Sequence, residues 1–182
     1  YAALLVNTTG DNNVVMGSLA MDANTTGSNN TALGYAALGA NTTASNNVAI
    51  GLNAMVANTT GASNVAVGNA ALDSNTGANN TAVGHAAGDT ITTGSNSICI
   101  GYEADTSGSG VSEIVIGNSI TGRGNNTGLM YPPGGGAMYQ ATNATTWAQT
   151  SDERIKKNIE DNTTGLDAIN QIRVRNFEYR TE

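Results

Sequence analysis

One six-residue pattern returns at a nearly constant interval through the first two thirds of the chain. It reads NNVVMG ending at Gly17, NNTALG at Gly34, NNVAIG at Gly51, SNVAVG at Gly68, NNTAVG at Gly84, NSICIG at Gly101 and SEIVIG at Gly117. The successive spacings of these glycines are 17, 17, 17, 16, 17 and 16. A fixed period of this size means a solenoid, in which each repeat can bury its apolar side only against its neighbours. The opening YAALLVNTTG then reads as an incomplete first copy.

A single repeat can be folded from its side-chain alternation. In NNVAIG the side chains of Val48 and Ile50 point one way and Ala49 the other, which is the period of a strand. The larger outer pairs are Val14/Met16, Thr31/Leu33, Val65/Val67, Thr81/Val83, Ile98/Ile100 and Ile114/Ile116, and these are expected to form the interior. The middle row, Val15, Ala32, Ala49, Ala66, Ala82, Cys99 and Val115, is small and suits close approach to a second surface. Three residues after each glycine stand Ala20, Ala37, Ala54, Ala71, Ala87 and Ala104, so a second short strand is expected to turn a small residue inward. The ANTTGSNN-like segments supply turn geometry and local side-chain hydrogen bonds. The expected coil has two short strands and two turns, and seven coils at about 4.8 Å each would stack to roughly 30 Å. The fold class is therefore all-β, a parallel β-roll whose coils each span one glycine-to-glycine period.

Composition narrows the function. With 23 Gly, one Phe and one Trp, a large aromatic core is excluded, while 39% apolar residues is too many for a wholly disordered chain. Residues 1–122 carry no Lys or Arg and seven acidic residues: Asp11, Asp22, Asp73, Asp89, Glu103, Asp105 and Glu113. Nucleic acid is not an expected partner, because phosphate neutralisation needs cations. Membrane insertion is not expected either, since no apolar run approaches the roughly 18 residues of a spanning helix. Cys99 has no second cysteine to pair with and reads as a small apolar filler. The chain begins inside a repeat and looks like an excerpt.

The SNNTALGYAAL and SNNVAIGLNAM repeats resemble the head repeats of YadA-like trimeric adhesins and the related repeats of phage tail fibres. That resemblance covers residues 1 to about 121 and implies a left-handed parallel β-roll that associates as a homotrimer. The period of 16 to 17 is longer than is usual in adhesin heads, which implies longer turns. Residues 122–150, with GRGNNTG and YPPGGGAMYQ, read as a Gly/Pro-rich neck or linker.

From residue 151 the character changes. Residues 151–182 hold six basic and seven acidic side chains. Leu166, Ile169 and Ile172 recur at helical spacing after Thr164, so a short helix is expected through LDAINQI, followed by a strand at VRNFEYR, which makes this a short α+β segment. Ser151-Asp152-x-Arg154-Ile155-Lys156-x-Asn158-Ile159, preceded by Trp147, closely resembles the start of the intramolecular chaperone auto-processing domain of phage tailspikes, tail fibres and endosialidases. The family's domain is considerably longer than this segment, which is therefore incomplete. The resemblance implies assistance to trimer folding, followed in many members by self-cleavage beside the serine. By that pattern Ser151 is the nucleophile and Lys156 its base, with Thr150 and Asp152 flanking the cut on one side or the other of Ser151. A lysine can serve as the base when burial or nearby cations, here Lys157 and Arg154, lower its pKa. The plain alternative makes Ser151 a helix N-cap with Asp152 and Glu153 favouring the helix dipole.

Other candidates are weaker. His85 occupies the position held by Tyr35, Leu52, Asn69 and Tyr102 in other coils and reads as a surface residue. Nine Asn-x-Ser/Thr matches, at Asn7, Asn24, Asn29, Asn41, Asn58, Asn79, Asn125, Asn143 and Asn162, are better explained by turn chemistry than by glycosylation. No calcium-binding Gly-Gly-x-Gly-x-Asp pattern occurs, so neither a metal nor a cofactor is expected. The leading expectation is a structural and attachment protein, the distal part of a trimeric phage tail fibre or similar surface fibre. Such a protein belongs on a virion or a cell surface, with other fibre or virion proteins and a host-cell receptor or glycan as partners. The alternative is a receptor- or glycan-binding adhesin head of a bacterial surface protein, using Tyr35 and Tyr102. Enzyme activity is expected at most as serine-lysine self-cleavage.

Overall fold

The pairs Asn12-Asn13, Asn29-Asn30, Asn46-Asn47, Ser63-Asn64 and Asn79-Asn80 each lead straight into a three-residue strand, and the glycine that follows ends it. The computed structural model describes residues 2–108, 111–132, 136–140 and 148–149. The repeat strands are β1 (Val14–Met16), β2 (Thr31–Leu33), β3 (Val48–Ile50), β4 (Val65–Val67), β5 (Thr81–Val83) and β6 (Ile98–Ile100). They are followed by β7 (Ala104–Asp105), β8 (Ile114–Gly117) and β9 (Ile120–Thr121), and then by β10 (Gly128–Tyr131), β11 (Met138–Gln140) and β12 (Ala148–Gln149). One sheet runs β1-β2-β3-β4-β5-β6-β8-β10-β11-β12, and β7 pairs with β9 in a second.

Every pairing from β1 through β10 is parallel and in register, so Val14 lies beside Thr31, Val48 beside Val65, and Ile98 beside Ile114. Equivalent residues therefore stack in columns, as a parallel β-solenoid requires. After Tyr131 the chain reverses, and β11 and β12 add antiparallel, so the sheet continues past the last repeat into the Gly/Pro-rich region.

The strand facing is the reverse of the expectation. The middle residues Ala32, Ala49, Ala66, Ala82, Cys99 and Val115 are fully buried, whereas Val14, Met16 and Ile50 are 59%, 65% and 38% exposed. The physical reason is the thinness of the coil. The strand's inner side chains meet Ala20, Ala37, Ala54, Ala71, Ala87 and Ala104, which are also fully buried, and where these two columns face each other small residues predominate. The larger branched residues are left on the outer face.

The inward Ala row was expected, but the strand around it was not found in the first five coils; a stacked turn takes its place. Met21, Leu38, Met55 and Leu72 have φ between 47° and 55°, and each donates its backbone N–H to a carbonyl of the next coil at 3.0 Å. The left-handed conformation costs roughly 1–2 kcal/mol for a residue bearing a Cβ. Burying a Leu or Met side chain returns about 1.5–3 kcal/mol, and all four are fully buried. Burial of this size offsets the strain. Among the described residues a second strand forms only toward the C-terminal end, as β7 and β9.

Glycine is obligatory in the column that closes the strands. Gly17, Gly34, Gly51, Gly68, Gly84 and Gly101 have φ of 130° to 147°, and a Cβ on any of them would meet the carbonyl oxygen of the next glycine in the column.

Candidate functional site

Two features of the described solenoid go beyond holding the coils together: an apolar outer face and a polar C-terminal end of the core. The coils themselves are held by amide ladders. The backbone N–H groups of Asn30, Asn47, Asn64 and Asn80 each donate to Oδ1 of the asparagine one coil earlier, at 2.8 to 3.0 Å. The side-chain amides of the same column reach forward to turn carbonyls, as Asn30 Nδ2 does to Ala44 and Asn47 Nδ2 to Gly61. Asn24, Asn41 and Asn58 form a second fully buried column. Their amides donate to turn carbonyls at Gly27, Ala44 and Gly61, the turn chemistry assigned to these glycosylation-like motifs. Thr8, Thr25 and Thr76 likewise donate their hydroxyls to a threonine carbonyl of the next coil.

The outer face is built by the first and third residue of each strand. Alternation puts Val48 and Ile50 on the side opposite Ala49, and the parallel register carries that facing from coil to coil. Among the described residues the face includes Val14, Met16, Ile50, Val83, Ile100, Ile114 and Met130, all exposed. Beside it runs the column after the glycines, where Tyr35 and Tyr102 are 51% and 49% exposed and His85 stacks on Tyr102 with ring centroids 5.2 Å apart. A contiguous apolar stripe on this scale is what interaction surfaces look like. Sequence reasoning missed it by assigning the larger side chains to the interior. The signal was present in the uniformly small middle row.

At the C-terminal end the core turns polar. Glu113 takes the place of the ladder asparagine and is fully buried. Its carboxylate accepts from Ser107 Oγ at 2.6 Å and from the backbone N–H groups of Ser107 and Gly124 at 3.3 Å. Asp105, at the end of β7, is also buried, and its Oδ1 accepts both the N–H and the hydroxyl of Thr90 at 3.2 and 2.8 Å. Asp89 is raised from the ordinary carboxylate value to about 6, first by burial, then by its hydrogen bond with Asp105 and the nearby charges of Asp105 and Glu103. Burial, with Asp105 and Glu113 nearby, pushes the Cys99 thiol up to about 12, so this buried free cysteine is not poised as a nucleophile.

The candidate self-cleavage residues Thr150, Ser151, Asp152 and Lys156 lie outside the described residues, as do the expected helix through LDAINQI and the following strand. Residues 151–182 match the family model described as the chaperone of endosialidase. The C-terminal segment is thus the chaperone of endosialidase type that its Ser-Asp-x-Arg-Ile-Lys motif resembles, and a β-solenoid precedes it. No curated protein and no solved structure matches the chain significantly.

Proposed function

We propose that this chain is the distal part of a trimeric fibre, of the kind phage tails carry, with the solenoid as its stiff shaft and the segment from Ser151 as a folding chaperone. The observation that carries the reading is the exposed apolar stripe of Ile50, Val83, Ile100 and their neighbours in a chain ending in a chaperone match. Other copies of the chain are the partners that would cover such a stripe in an assembled fibre. In this reading residues 1–121 are the repetitive shaft, 122–150 the neck and 151–182 the chaperone start. The protein sits in a virion or on a cell surface, attached to other fibre proteins. A non-repetitive C-terminal unit that trimerises first would bring three chains together before their nearly identical coils pair. Ser151 and Lys156 would then form the self-cleavage dyad, with Thr150 and Asp152 beside the cut.

Sedimentation and light scattering on the whole chain test the assembly. Three chains per particle are expected, and a monomer at micromolar concentration overturns the reading. A second reading, a receptor- or glycan-binding head, is favoured by the exposure of Tyr35 and Tyr102. Glycan-array binding that is lost on Tyr35→Ala and Tyr102→Ala would support it.

A further inference from the structure

The apolar face is not uniform along its length. Through β2–β6 its third-position residues are Leu33, Ile50, Val67, Val83 and Ile100, similar in size and spaced by one coil each. At the C-terminal end, where β10 stacks on β8 and β11 reverses direction, the face opens into a groove of about 610 Å³ whose lining includes Ile100, Tyr102, Ile116, Met130, Tyr131 and Met138. Polar functionality in this lining is confined to Asn118, the two tyrosine hydroxyls and the backbone. Neither the groove nor the strand face carries a charged side chain.

We propose that this groove is a register key, whose Met130–Tyr131 rim packs into the same groove of a second copy of this chain and fixes the axial alignment of the fibre. The inference rests on the fibre reading above and names the contact that sets its register. Three features of the face bear on a second copy as its occupant.

The first is area. Eight strands at about 4.8 Å and three residues at about 3.3 Å give the flat face roughly 34 by 10 Å. Its projected area of roughly 340 Å² is less than half of the ~800 Å² that each side of a stable specific interface buries. A partner must engage the groove wall as well.

The second is charge and spacing. An uncharged face stepped at one apolar third-position side chain per coil is matched in step only by another face of the same period, and an identical one meets no electrostatic penalty.

The third is uniqueness. A copy displaced by one coil sets Ile50 against Val67 or Leu33 at little cost, so the stripe alone tolerates slippage. The β11 reversal and Pro132 occur once per chain, after the last repeat. A displaced copy leaves the apolar groove open and sets its own Met130 and Tyr131, both more than one third exposed, against coils that have no matching recess.

The experiment uses the full chain with Cys99→Ala, since alanine is the usual residue of that row. Two differently tagged versions, Ile50→Cys and Val67→Cys, are co-expressed and oxidised, and disulfides are read on a non-reducing gel. With the groove intact, Ile50→Cys chains should cross-link to one another, and mixed Ile50→Cys/Val67→Cys products should be at least tenfold rarer. Met130→Asp, at an exposed position, and Ile116→Trp, which fills the groove, should each raise the mixed product to comparable yield or weaken association at least tenfold. Circular dichroism confirms that the solenoid persists; if Ile116→Trp fails to fold, Met130→Asp decides. Unchanged association with only same-coil cross-links in the groove variants overturns the register key while the fibre reading stands. A wild-type chain that never associates overturns both.

Discussion

Asn41 donates its side-chain amide to Asn24 Oδ1 at 2.8 Å, yet its own Oδ1, buried in the same column, finds no partner. The next amide, Asn58, spends both ends on Gly61, donating to its carbonyl at 2.9 Å and accepting from its N–H at 3.0 Å. The adjoining turn is stretched as well, with the Thr42 N–H and hydroxyl both 3.4 Å from the Thr59 carbonyl, against 2.9 and 3.0 Å for the equivalent Thr25–Thr42 pair. One coil further on, Asn75-Thr76-Gly77 has one threonine fewer than Asn58-Thr59-Thr60-Gly61, which accounts for the shorter spacing from Gly68 to Gly84.

Because Asn24 both donates and accepts within the ladder, Asn24→Ala should destabilise the solenoid by about 2–3 kcal/mol, the cost of leaving buried partners unpaired. Thr60→Ala, at an exposed position outside both ladders, should change stability by less than about 0.5 kcal/mol. Urea unfolding of the two variants beside the wild type checks the contrast.

Ala49 and Ile50 are chain neighbours with opposite fates. Ala49→Asp would place a carboxylate between two columns of mostly small apolar groups, and should abolish the folded solenoid. Ile50→Asp should leave each coil folded and weaken association instead. Circular dichroism together with sedimentation separates these outcomes, and loss of the β signal in both variants would contradict the assigned facing.

Asp89 makes stability depend on pH. Its folded value of about 6 lies above the ordinary 3.8, so between these values the folded state holds a proton that the unfolded state has released. Its contribution is complete below about pH 4 and is lost as pH rises through about 6. Melting temperature should therefore fall between pH 4 and 7, and Asp89→Asn, which keeps a donor toward Asp105 at every pH, should flatten that part of the profile. An unchanged slope in the variant would remove Asp89 as the cause.

The bond beside Ser151 provides a chemical test of the C-terminal reading. The chain should resolve into two fragments by mass spectrometry, split at the Thr150–Ser151 or Ser151–Asp152 bond. Ser151→Ala and Lys156→Ala should each leave one uncut chain that still associates. Lys156→Arg should also stay uncut, because guanidinium does not give up its proton in this range. Cleavage that persists in Ser151→Ala would exclude this serine as the nucleophile.

What the sequence determined by itself was the architecture of the body and the nature of its C-terminal segment. A glycine register of such constant period permits little except stacked coils, and the Asn-Thr-Thr-Gly segments announced turns whose amides bond locally. The serine–lysine motif pointed to the chaperone match because it is a specific string and needs no tertiary context. The inside and outside of the strand were decided only by the tertiary structure. Alternation shows that Val48 and Ile50 share a face and that Ala49 takes the other, but not which face is interior; coil thickness settles that, and it depends on Ala20, Ala37 and Ala54 packing across from the strand. The left-handed turns at Met21 and Leu38 were hidden for a similar reason, since local propensity disfavours them and only burial against neighbouring coils holds them in place. The C-terminal groove is likewise a tertiary product, because it exists where β11 reverses beside a stack that would otherwise have continued in parallel.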